Sequence, residues 1–262
     1  MKIFLDTADI EEIRTAARWG ILDGVTTNPS LYAKVGGSYE DILREICRLT
    51  PGPVSAEVVA EDVEGMLTEG RAFAKLARNI VVKVPMSEEG LEAIARFAEE
   101  GIKTNCTLIF TTNQGLLAAK AGASLISPFV GRLDDINQDG MVVIRELAEI
   151  FALHDIDSEI LAASLRHPFH VTQAALAGAH ISTLPFKVLQ QMVRHPLTDK
   201  GIKTFREDWD KARAAAAEKT GTAPASTPAE AATGEGDDKR TNGAKPSRIT
   251  RPAGAAPTKR RR

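Results

Sequence analysis

The sequence feature that most constrains the fold is an alternation of short apolar runs with helical patterns through residues 1–213. Eight such pairs fit into this stretch, with short connections between them. The apolar runs predict strands at residues 2–5, 24–29, 54–59, 80–85, 103–110, 124–130, 159–163 and 180–184. Eight strand–helix units indicate an α/β fold of the (β/α)8 type, a TIM barrel.

A doubly wound open sheet is the alternative architecture for such an alternation. It would require a glycine-rich phosphate loop after the first strand, and the residues there, Asp6 to Asp9, do not form one. A last helical pattern over residues 198–217 places Phe205 and Trp209 on one face. We therefore expect a barrel followed by a C-terminal helix.

The fourth apolar run, Ile80-Val81-Val82-Lys83-Val84-Pro85, has a lysine inside it. A run of β-branched residues bounded by breakers is typical of a strand buried on both faces. Desolvation favours the neutral amine, which can attack a carbonyl and form a Schiff base. The alternative is a lysine near a strand end whose ammonium reaches water or a carboxylate. The run alone favours the second interpretation.

Polar residues recur at the ends of the predicted strands. Residues two apart on a strand share a face, and the carboxyl ends of barrel strands surround one site. The strand-end residues in this pattern are Asp6, the pair Thr26 and Asn28, Glu57, Lys83, the pair Asn105 and Thr107, Ser127 with the aromatic Phe129, and Ser164 with Arg166. A single pair could be a loop cap, but so many polar ends are hard to explain by packing.

Seven segments carry a resemblance to a known family. They are FLDTAD, GVTTNPS, the AEV around Glu57, VVKVP, GIKTNCTLIF, SPFVGRLDD and LAASLR, spread over residues 1–213. The chain resembles the transaldolase family, in the short single-barrel branch that also includes fructose-6-phosphate aldolases. The resemblance implies a transaldolase, a metal-independent transferase that needs no cofactor and moves a dihydroxyacetone unit between sugar phosphates.

The resemblance also implies a role for each site residue. Lys83 would form the Schiff base, Asp6 would exchange the proton of the C4 hydroxyl, and Glu57 with Thr107 would hold a proton-shuttling water. The implied substrate-binding residues are Thr26, Asn28, Asn105, Ser127, Phe129, Arg132, Ser164 and Arg166. Among these, Arg132, Ser164 and Arg166 would bind the sugar phosphate, because the planar guanidinium matches phosphate.

Two other functions remain open at this point. The first is an aldolase of the same fold that releases free dihydroxyacetone. In the family that the chain resembles, the aldolase branch tends to carry Tyr and Gln where this chain has Phe129 and Glu57. Both positions therefore favour transfer of the dihydroxyacetone unit over its release. The second is a non-catalytic scaffold with a nucleic-acid-binding tail, which the intact set of Lys83 and two carboxylates disfavours.

Residues 214–262 differ in composition from the rest of the chain. They carry ten Lys or Arg and five Asp or Glu, about +5, which leaves about −7 for residues 1–213 given the net charge of −2. This segment lacks aromatic residues and has one large aliphatic, Ile249, so we predict a disordered tail. A solvated tail is the preferred interpretation, and contact of its final Lys259-Arg260-Arg261-Arg262 with nucleic acid is the alternative.

The cellular compartment and the oligomeric state are predicted from the apolar runs, the cysteines and the family resemblance. No apolar run approaches the ~20 residues of a membrane span, and the apolar start meets Asp6 too early for a signal peptide. Cys47 and Cys106 form no metal or redox motif, so we expect a cytoplasmic protein without a metal. The resemblance implies a homo-oligomer, a pentamer or decamer, with the terminal helix packing on a neighbouring subunit.

Overall fold

The computed structural model describes residues 1–220 of the protein. Within them the strands are β1 (Lys2–Asp6), β2 (Gly24–Thr26), β3 (Val54–Glu57), β4 (Ile80–Pro85), β5 (Thr104–Ile109), β6 (Leu125–Pro128), β7 (Glu159–Ala162) and β8 (Ile181–Leu184). The helices are α1 (Ile10–Arg18), α2 (Pro29–Val35), α3 (Tyr39–Leu49), α4 (Val63–Ala74), α5 (Glu88–Glu99), α6 (Thr112–Lys120), α7 (Val130–Asp134), α8 (Met141–Leu153), α9 (Pro168–Leu176), α10 (Phe186–Val193) and α11 (Pro196–Thr220).

The eight strands form one closed parallel barrel in chain order, with β8 pairing back onto β1. The predicted (β/α)8 barrel is therefore confirmed. Its register brings three predicted site residues side by side, because Lys83 lies opposite Glu57 on β3 and opposite Asn105 on β5. Parallel pairing keeps every strand's carboxyl end at the same mouth of the barrel.

Alternation along each strand divides its side chains between the barrel interior and the layer under the helices. In β4, Val82 and Val84 belong to the core between strands and helices, whereas Val81 belongs to a separate cluster inside the barrel. The other members of this interior cluster are Phe4, Leu125, Leu161, Ala163 and Ile181, with Phe129 packed against it. An apolar plug thus fills the part of the barrel opposite the mouth.

Local capping signals explain where several helices begin. Asp9, Ser38, Asp62 and Ser87 each accept a backbone N–H from the first turn of α1, α3, α4 and α5, as their sequence positions predict. Thr111 and Gln114 form a capping box at the start of α6. These bonds fix the helix starts just behind the strand ends.

Two short helices were not predicted, and both stand at the mouth of the barrel. Residues 24–29 were expected to be strand, yet β2 ends at Thr26 because Asn28 accepts the Leu31 N–H and Pro29 starts α2. Likewise β6 ends at Pro128, and the Val130 N–H donates to the Ala163 carbonyl as α7 begins. The two predicted strands were therefore too long at their carboxyl ends, where α2 begins at Pro29 and α7 at Val130.

The chain divides into a compact unit, Met1–Asp199, and a second unit that begins at Lys200. Helix α11 continues to Thr220, so the first seven residues of the predicted tail 214–262 are helical. The prediction of disorder for the remainder falls on residues 221–262, outside the described residues. Within residues 1–220, every helix is too short or too polar to cross a lipid bilayer.

Candidate active site

A cavity of about 140 Å³ opens among the carboxyl ends of the strands. It is lined by Asp6, Thr26, Asn28, Lys83, Thr107, Ser127, Phe129, Arg132, Leu161, Ala163, Ser164 and Thr183. Nine of these were predicted as site residues from the sequence. Of the remaining predicted residues, Glu57 and Asn105 lie immediately behind this lining, and Arg166 lies outside it.

Lys83 occupies the centre of the site. The residue is 5% exposed, and its Nζ lies 2.8 Å from Glu57 Oε2 and donates to the Thr27 carbonyl at 3.1 Å. Both partners are inside the protein, so the amine does not reach the bulk solvent as a surface lysine would. The strand alternation explains the position, since Val81 below it faces the apolar plug. The arrangement presents an amine to the cavity beside a carboxylate that can exchange protons with it.

Glu57 contacts Lys83 on one side and faces a second pocket on the other. This outer pocket, about 550 Å³, lies between α2, α3 and α4 and is also lined by Tyr32, Tyr39 and Glu69. The Tyr32 hydroxyl is buried without a hydrogen-bond partner among residues 1–220, and burial raises the pKa of Tyr32 to about 12. Glu57 therefore borders both Lys83 and a pocket that opens outside the barrel.

Asp6 ends a chain of hydroxyl groups across the barrel. The Thr26 hydroxyl donates to Asp6 Oδ1 at 2.8 Å and lies 2.6 Å from the Thr183 hydroxyl. Burial raises the pKa of Asp6 above its ordinary value, and the Lys83 charge and the Thr26 hydrogen bond oppose this shift only in part. A raised pKa makes this carboxylate a stronger base than an exposed aspartate.

A second series of side-chain hydrogen bonds lies beneath the cavity. Ser127 donates to Asn105 Oδ1 at 2.6 Å, and Asn105 Nδ2 donates to Ser55 Oγ at 3.0 Å. Asn105 is completely buried, so it orients Ser127 from below. Asn28 differs, because it lines the cavity while its Oδ1 caps α2, which leaves its amide N–H groups for a ligand.

Thr107 presents an unused hydroxyl to the cavity. Its Oγ1 is buried and has no hydrogen-bond partner among the described residues, a rare state for a polar atom. The following residue, Leu108, has a φ of 58°, and the pairing of β5 with β6 shifts register there. Strained backbone of this kind concentrates at functional sites. The hydroxyl is available to a water or a substrate.

The mouth of the cavity is lined by an aromatic ring, an arginine and a serine. Phe129 packs edge-on against Phe110, with ring centroids 5.8 Å apart. Arg132 and Ser164 line the cavity, and Ser164 has a left-handed φ of 60°. Arg166 is instead bound to Asp135 through both terminal guanidinium nitrogens. Arg132 and Ser164 are therefore open to the cavity, whereas Arg166 is paired with Asp135.

Sequence reasoning missed four residues of the site, namely Ser55, Leu161, Ala163 and Thr183. Thr183 could have been found, because it lies in the eighth strand one residue before the last, and residues two apart there share the interior face. Leu161 and Ala163 are apolar and carry no signal. Among residues 1–220, no three His, Cys, Asp or Glu side chains are grouped so that they could hold a metal ion.

Comparison with known proteins gives relatives over most of the chain. The family model described as "Transaldolase/Fructose-6-phosphate aldolase" matches residues 3–220. A "Probable transaldolase" of Herpetosiphon aurantiacus is 61% identical over 211 residues, 80% of this chain and 96% of that protein. Proteins of the same description from Thermoanaerobacter sp. and Oceanobacillus iheyensis are 59% and 61% identical and are covered over 98% and 99% of their lengths, for 81% and 80% of this chain.

A likeness among solved structures concerns the fold alone. The inosine 5'-monophosphate dehydrogenase of Legionella pneumophila superposes with a TM-score of 0.51 at 12% identity, over 72% of this chain and 58% of that one. Such low identity carries no functional argument. The family match and the relatives near 60% identity do carry one. The chain belongs to the transaldolase/fructose-6-phosphate aldolase family.

Proposed function

We propose that the protein is a transaldolase that acts through a Schiff base on Lys83. The reaction would convert sedoheptulose 7-phosphate and glyceraldehyde 3-phosphate into erythrose 4-phosphate and fructose 6-phosphate. The observation that carries the proposal is the Lys83 amine, buried in the barrel, lining the cavity and 2.8 Å from Glu57. The relatives described as probable transaldolases support the same reaction.

The first step begins when Lys83 passes a proton to Glu57, 2.8 Å away, and the neutral amine then attacks the C2 carbonyl of the ketose phosphate. The C–N bond forms, and the carbonyl oxygen leaves as water once it has received two protons. Glu57 lies at the amine, and the free Thr107 hydroxyl faces the cavity, so the two can hold the water that carries these protons. The product is a protonated imine, which withdraws electrons from C3.

The second step breaks the C3–C4 bond. Asp6 removes the proton of the C4 hydroxyl, the C4 carbonyl forms, and the bonding electrons move to C3 and into the imine as an enamine. The raised pKa of Asp6 suits this role, since the protonated acid then persists long enough to return its proton. Attack of the enamine on the acceptor aldehyde reverses these events, with Asp6 protonating the new alkoxide.

The remaining polar residues would bind the parts of the substrate that do not react. The N–H groups of Asn28 and the hydroxyl of Ser127, held by Asn105, suit the hydroxyls of the dihydroxyacetone unit. Arg132 and Ser164 line the mouth where the phosphate would project, and the Arg166 side chain passes over Gly131, the residue before Arg132. Thr26 links the substrate region to Asp6 through its hydroxyl.

An aldolase that releases free dihydroxyacetone is the second candidate function. Release requires a proton on C3 of the enamine and then water at the imine. Phe129 lines the cavity with an apolar ring, and such a ring keeps an ordered proton donor away from C3. The same position would favour release if it held a hydroxyl. The ring therefore supports transfer over release.

A coupled assay tests the proposal. Fructose 6-phosphate is supplied with and without erythrose 4-phosphate, and glyceraldehyde 3-phosphate and free dihydroxyacetone are followed separately. We expect rapid turnover only with the acceptor. Borohydride in the presence of fructose 6-phosphate should add a reduced three-carbon unit to the peptide that contains Lys83. Faster release than transfer would establish the aldolase instead, and labelling of Lys75 or Lys103 would overturn the Schiff-base assignment.

We further propose a cytoplasmic homo-oligomer that serves the pentose phosphate pathway. Phe205 and Trp209, one helical turn apart on α11, are 76% and 64% exposed, which suits contact with a neighbouring subunit. Light scattering on the purified full chain measures the assembly. A monomer at micromolar concentration would contradict this part of the proposal.

A further inference from the structure

The Arg166 side chain is held in an ion pair at the mouth of the cavity. Its Nη1 donates to Asp135 Oδ1 at 2.6 Å and its Nη2 to Asp135 Oδ2 at 2.5 Å, an end-on pair that uses both carboxylate oxygens. Both side chains are nearly half exposed. Arg132 and Ser164 line the central cavity, whereas Arg166 does not. The second arginine of the mouth is therefore already paired with a carboxylate of the same chain.

The path of the Arg166 side chain explains why it stays outside the cavity. A methyl group added to Gly131 would lie 2.8 Å from Arg166 Nε and 3.2 Å from its Cγ, so the side chain crosses directly over Gly131. Asp135, the C-cap of α7, follows Gly131 by four residues in helical conformation, about 6 Å further along the axis of the helix. The ion pair thus draws the guanidinium toward the far end of α7.

The neighbouring aspartate has other partners. Asp134 Oδ2 lies 3.1 Å from His170 Nε2, and its Oδ1 accepts the Gly140 N–H at 3.1 Å. Asp134 therefore fastens α7 to α9 and to the loop before α8. Asp135, in contrast, binds only Arg166 among the side chains and N–H groups of residues 1–220. The Asp135 carboxylate acts on Arg166 alone.

We propose that Asp135 competes with the substrate phosphate for Arg166. This inference rests on the proposed function, in which Arg166 binds phosphate. A guanidinium fork accepts carboxylate and phosphate in the same geometry, so the two anions exclude each other at the Nη1 and Nη2 edge. A phosphate dianion carries more charge and a third oxygen, and an exposed ion pair is weak, so the phosphate displaces Asp135.

Competition of this kind has a definite consequence for affinity. The free energy of the Arg166–Asp135 pair is subtracted from the binding of every phosphate-bearing ligand, both substrate and product. Asp135 therefore weakens phosphate binding and speeds the departure of phosphorylated products, a step that often limits turnover in enzymes. In the empty site it also neutralises Arg166, so that other anions are not captured.

Direct binding of inorganic phosphate to the full chain tests the proposal. Dissociation constants are measured by calorimetry at one fixed low ionic strength for wild type, Asp135→Asn, Arg166→Ala and the double variant. We expect Asp135→Asn to bind phosphate about threefold to fivefold more tightly, as loss of an exposed ion pair allows. Arg166→Ala should bind it more weakly, and the double variant should match Arg166→Ala, because Asp135 acts only through Arg166.

Glu100→Gln is the matched control. Glu100 forms a similar two-point, partly exposed pair with Arg71, and neither residue lines the central cavity. Phosphate affinity and turnover should not change in this variant. Weaker phosphate binding by Asp135→Asn would overturn the inference, because Asp135 would then position Arg166 for phosphate. A gain that persists in the Arg166→Ala background would overturn it as well, since it would reflect a general charge effect.

The phosphate measurement also separates this inference from the proposed function. If phosphate binding changes as expected but fructose 6-phosphate is not turned over, the competition stands and the transaldolase assignment fails. If the enzyme transfers dihydroxyacetone normally and phosphate affinity does not respond to Asp135, the competition fails alone. For a functional transaldolase, the KM for fructose 6-phosphate should fall in Asp135→Asn by the same factor as the phosphate dissociation constant.

Discussion

The two ends of the barrel interior are built from the same strands, and the amino end is apolar whereas the mouth carries the charged and hydroxyl groups. At the amino end, Phe4 and Val81 belong to a buried apolar cluster. Two residues further along the same strands, Asp6 and Lys83 line the polar cavity. The spacing of two keeps all four side chains on the interior face. A single β-strand therefore contributes to both the stability of the barrel and its chemistry.

The two ends have opposite effects on the stability of the fold. The apolar end removes large side chains from water and stabilises the fold. The mouth keeps a charged pair, Lys83 and Glu57, out of the solvent, raises the pKa of Asp6 and leaves the Thr107 hydroxyl unpaired, and each of these features costs stability. Substitutions at the mouth should change activity more than stability, and substitutions at the amino end should do the reverse.

Lys83→Arg gives the largest expected effect. The guanidinium stays protonated and cannot attack a carbonyl, so transfer activity should fall by a factor of about 10⁴ or more. The cavity beside Lys83 offers room for the larger head group, and Glu57 remains paired, so the melting temperature should change little. Activity, borohydride labelling and thermal unfolding are measured together. A variant that keeps a tenth of the activity would remove Lys83 from the mechanism.

Asp6→Asn comes next, and its effects on activity and stability have opposite signs. Loss of the base should lower transfer activity by a factor of about 10²–10⁴. Since the folded-state pKa of Asp6 lies above its ordinary value of 3.8, its contribution to stability is present below that value and is lost as pH rises through the folded pKa. Asn cannot ionise, so near pH 7 the variant should be more stable, by about 1 kcal/mol.

The pH profile of the wild-type enzyme gives a second measure of Asp6. The base acts when ionised, so kcat/KM should fall on the acid side at a pH above the range of an exposed aspartate. Asp9→Asn is the control, because Asp9 caps α1 and Asn caps a helix equally well. An acid limb near pH 4, or an Asp6→Asn protein less stable than wild type near pH 7, would contradict the assignment.

Phe4→Ala tests the apolar end. Phe4 is completely buried, and its ring lies so close to Gly24 that a methyl group on Gly24 would fall 2.4 Å from Cζ. Truncation should lower the free energy of unfolding by about 3–5 kcal/mol, measured with denaturant. The folded fraction should still label at Lys83 with fructose 6-phosphate and borohydride. Loss of labelling in folded protein would mean that the two ends are coupled.

Phe129→Tyr gives the smallest expected effect on activity. It changes the residue that contacts both the apolar cluster and the cavity. Phe129 packs against the apolar cluster and also lines the cavity. The added hydroxyl can bind a water near the enamine, so dihydroxyacetone release from fructose 6-phosphate should rise and transfer to erythrose 4-phosphate should fall. A tenfold change in their ratio requires only about 1.4 kcal/mol between two barriers.

The matched control for this change is Phe110→Tyr. Phe110 makes the edge contact with Phe129 and does not line the cavity, so its hydroxyl should leave the ratio of release to transfer unchanged. Equal loss of both activities in Phe129→Tyr would reduce Phe129 to a packing residue.

The sequence alone determined the barrel and most of the site. Strand alternation and helix caps such as Ser38 and Asp62 are local signals, encoded within a few neighbouring residues, so they can be read without the fold. The alternation of side chains along each strand then predicted that Asp6 and Lys83 both face the interior of the barrel. Strand ends were predicted less well, because the excess residues of β2 and β6 include the cap Asn28 and the first helical residues Pro29 and Val130.

Only the tertiary structure decided which of these residues bind one another. The contact between the Thr183 and Thr26 hydroxyls is one example, because the two residues lie 157 positions apart and meet only when the barrel closes between β8 and β1. Arg166 is a second example. The sequence predicts an arginine that could bind phosphate, but only the structure shows that its guanidinium is paired with Asp135. The periodicity of strands and helices depends on residues that are close in the chain. The hydrogen-bond and ion-pair partners depend on distances between residues that come together only in the closed barrel.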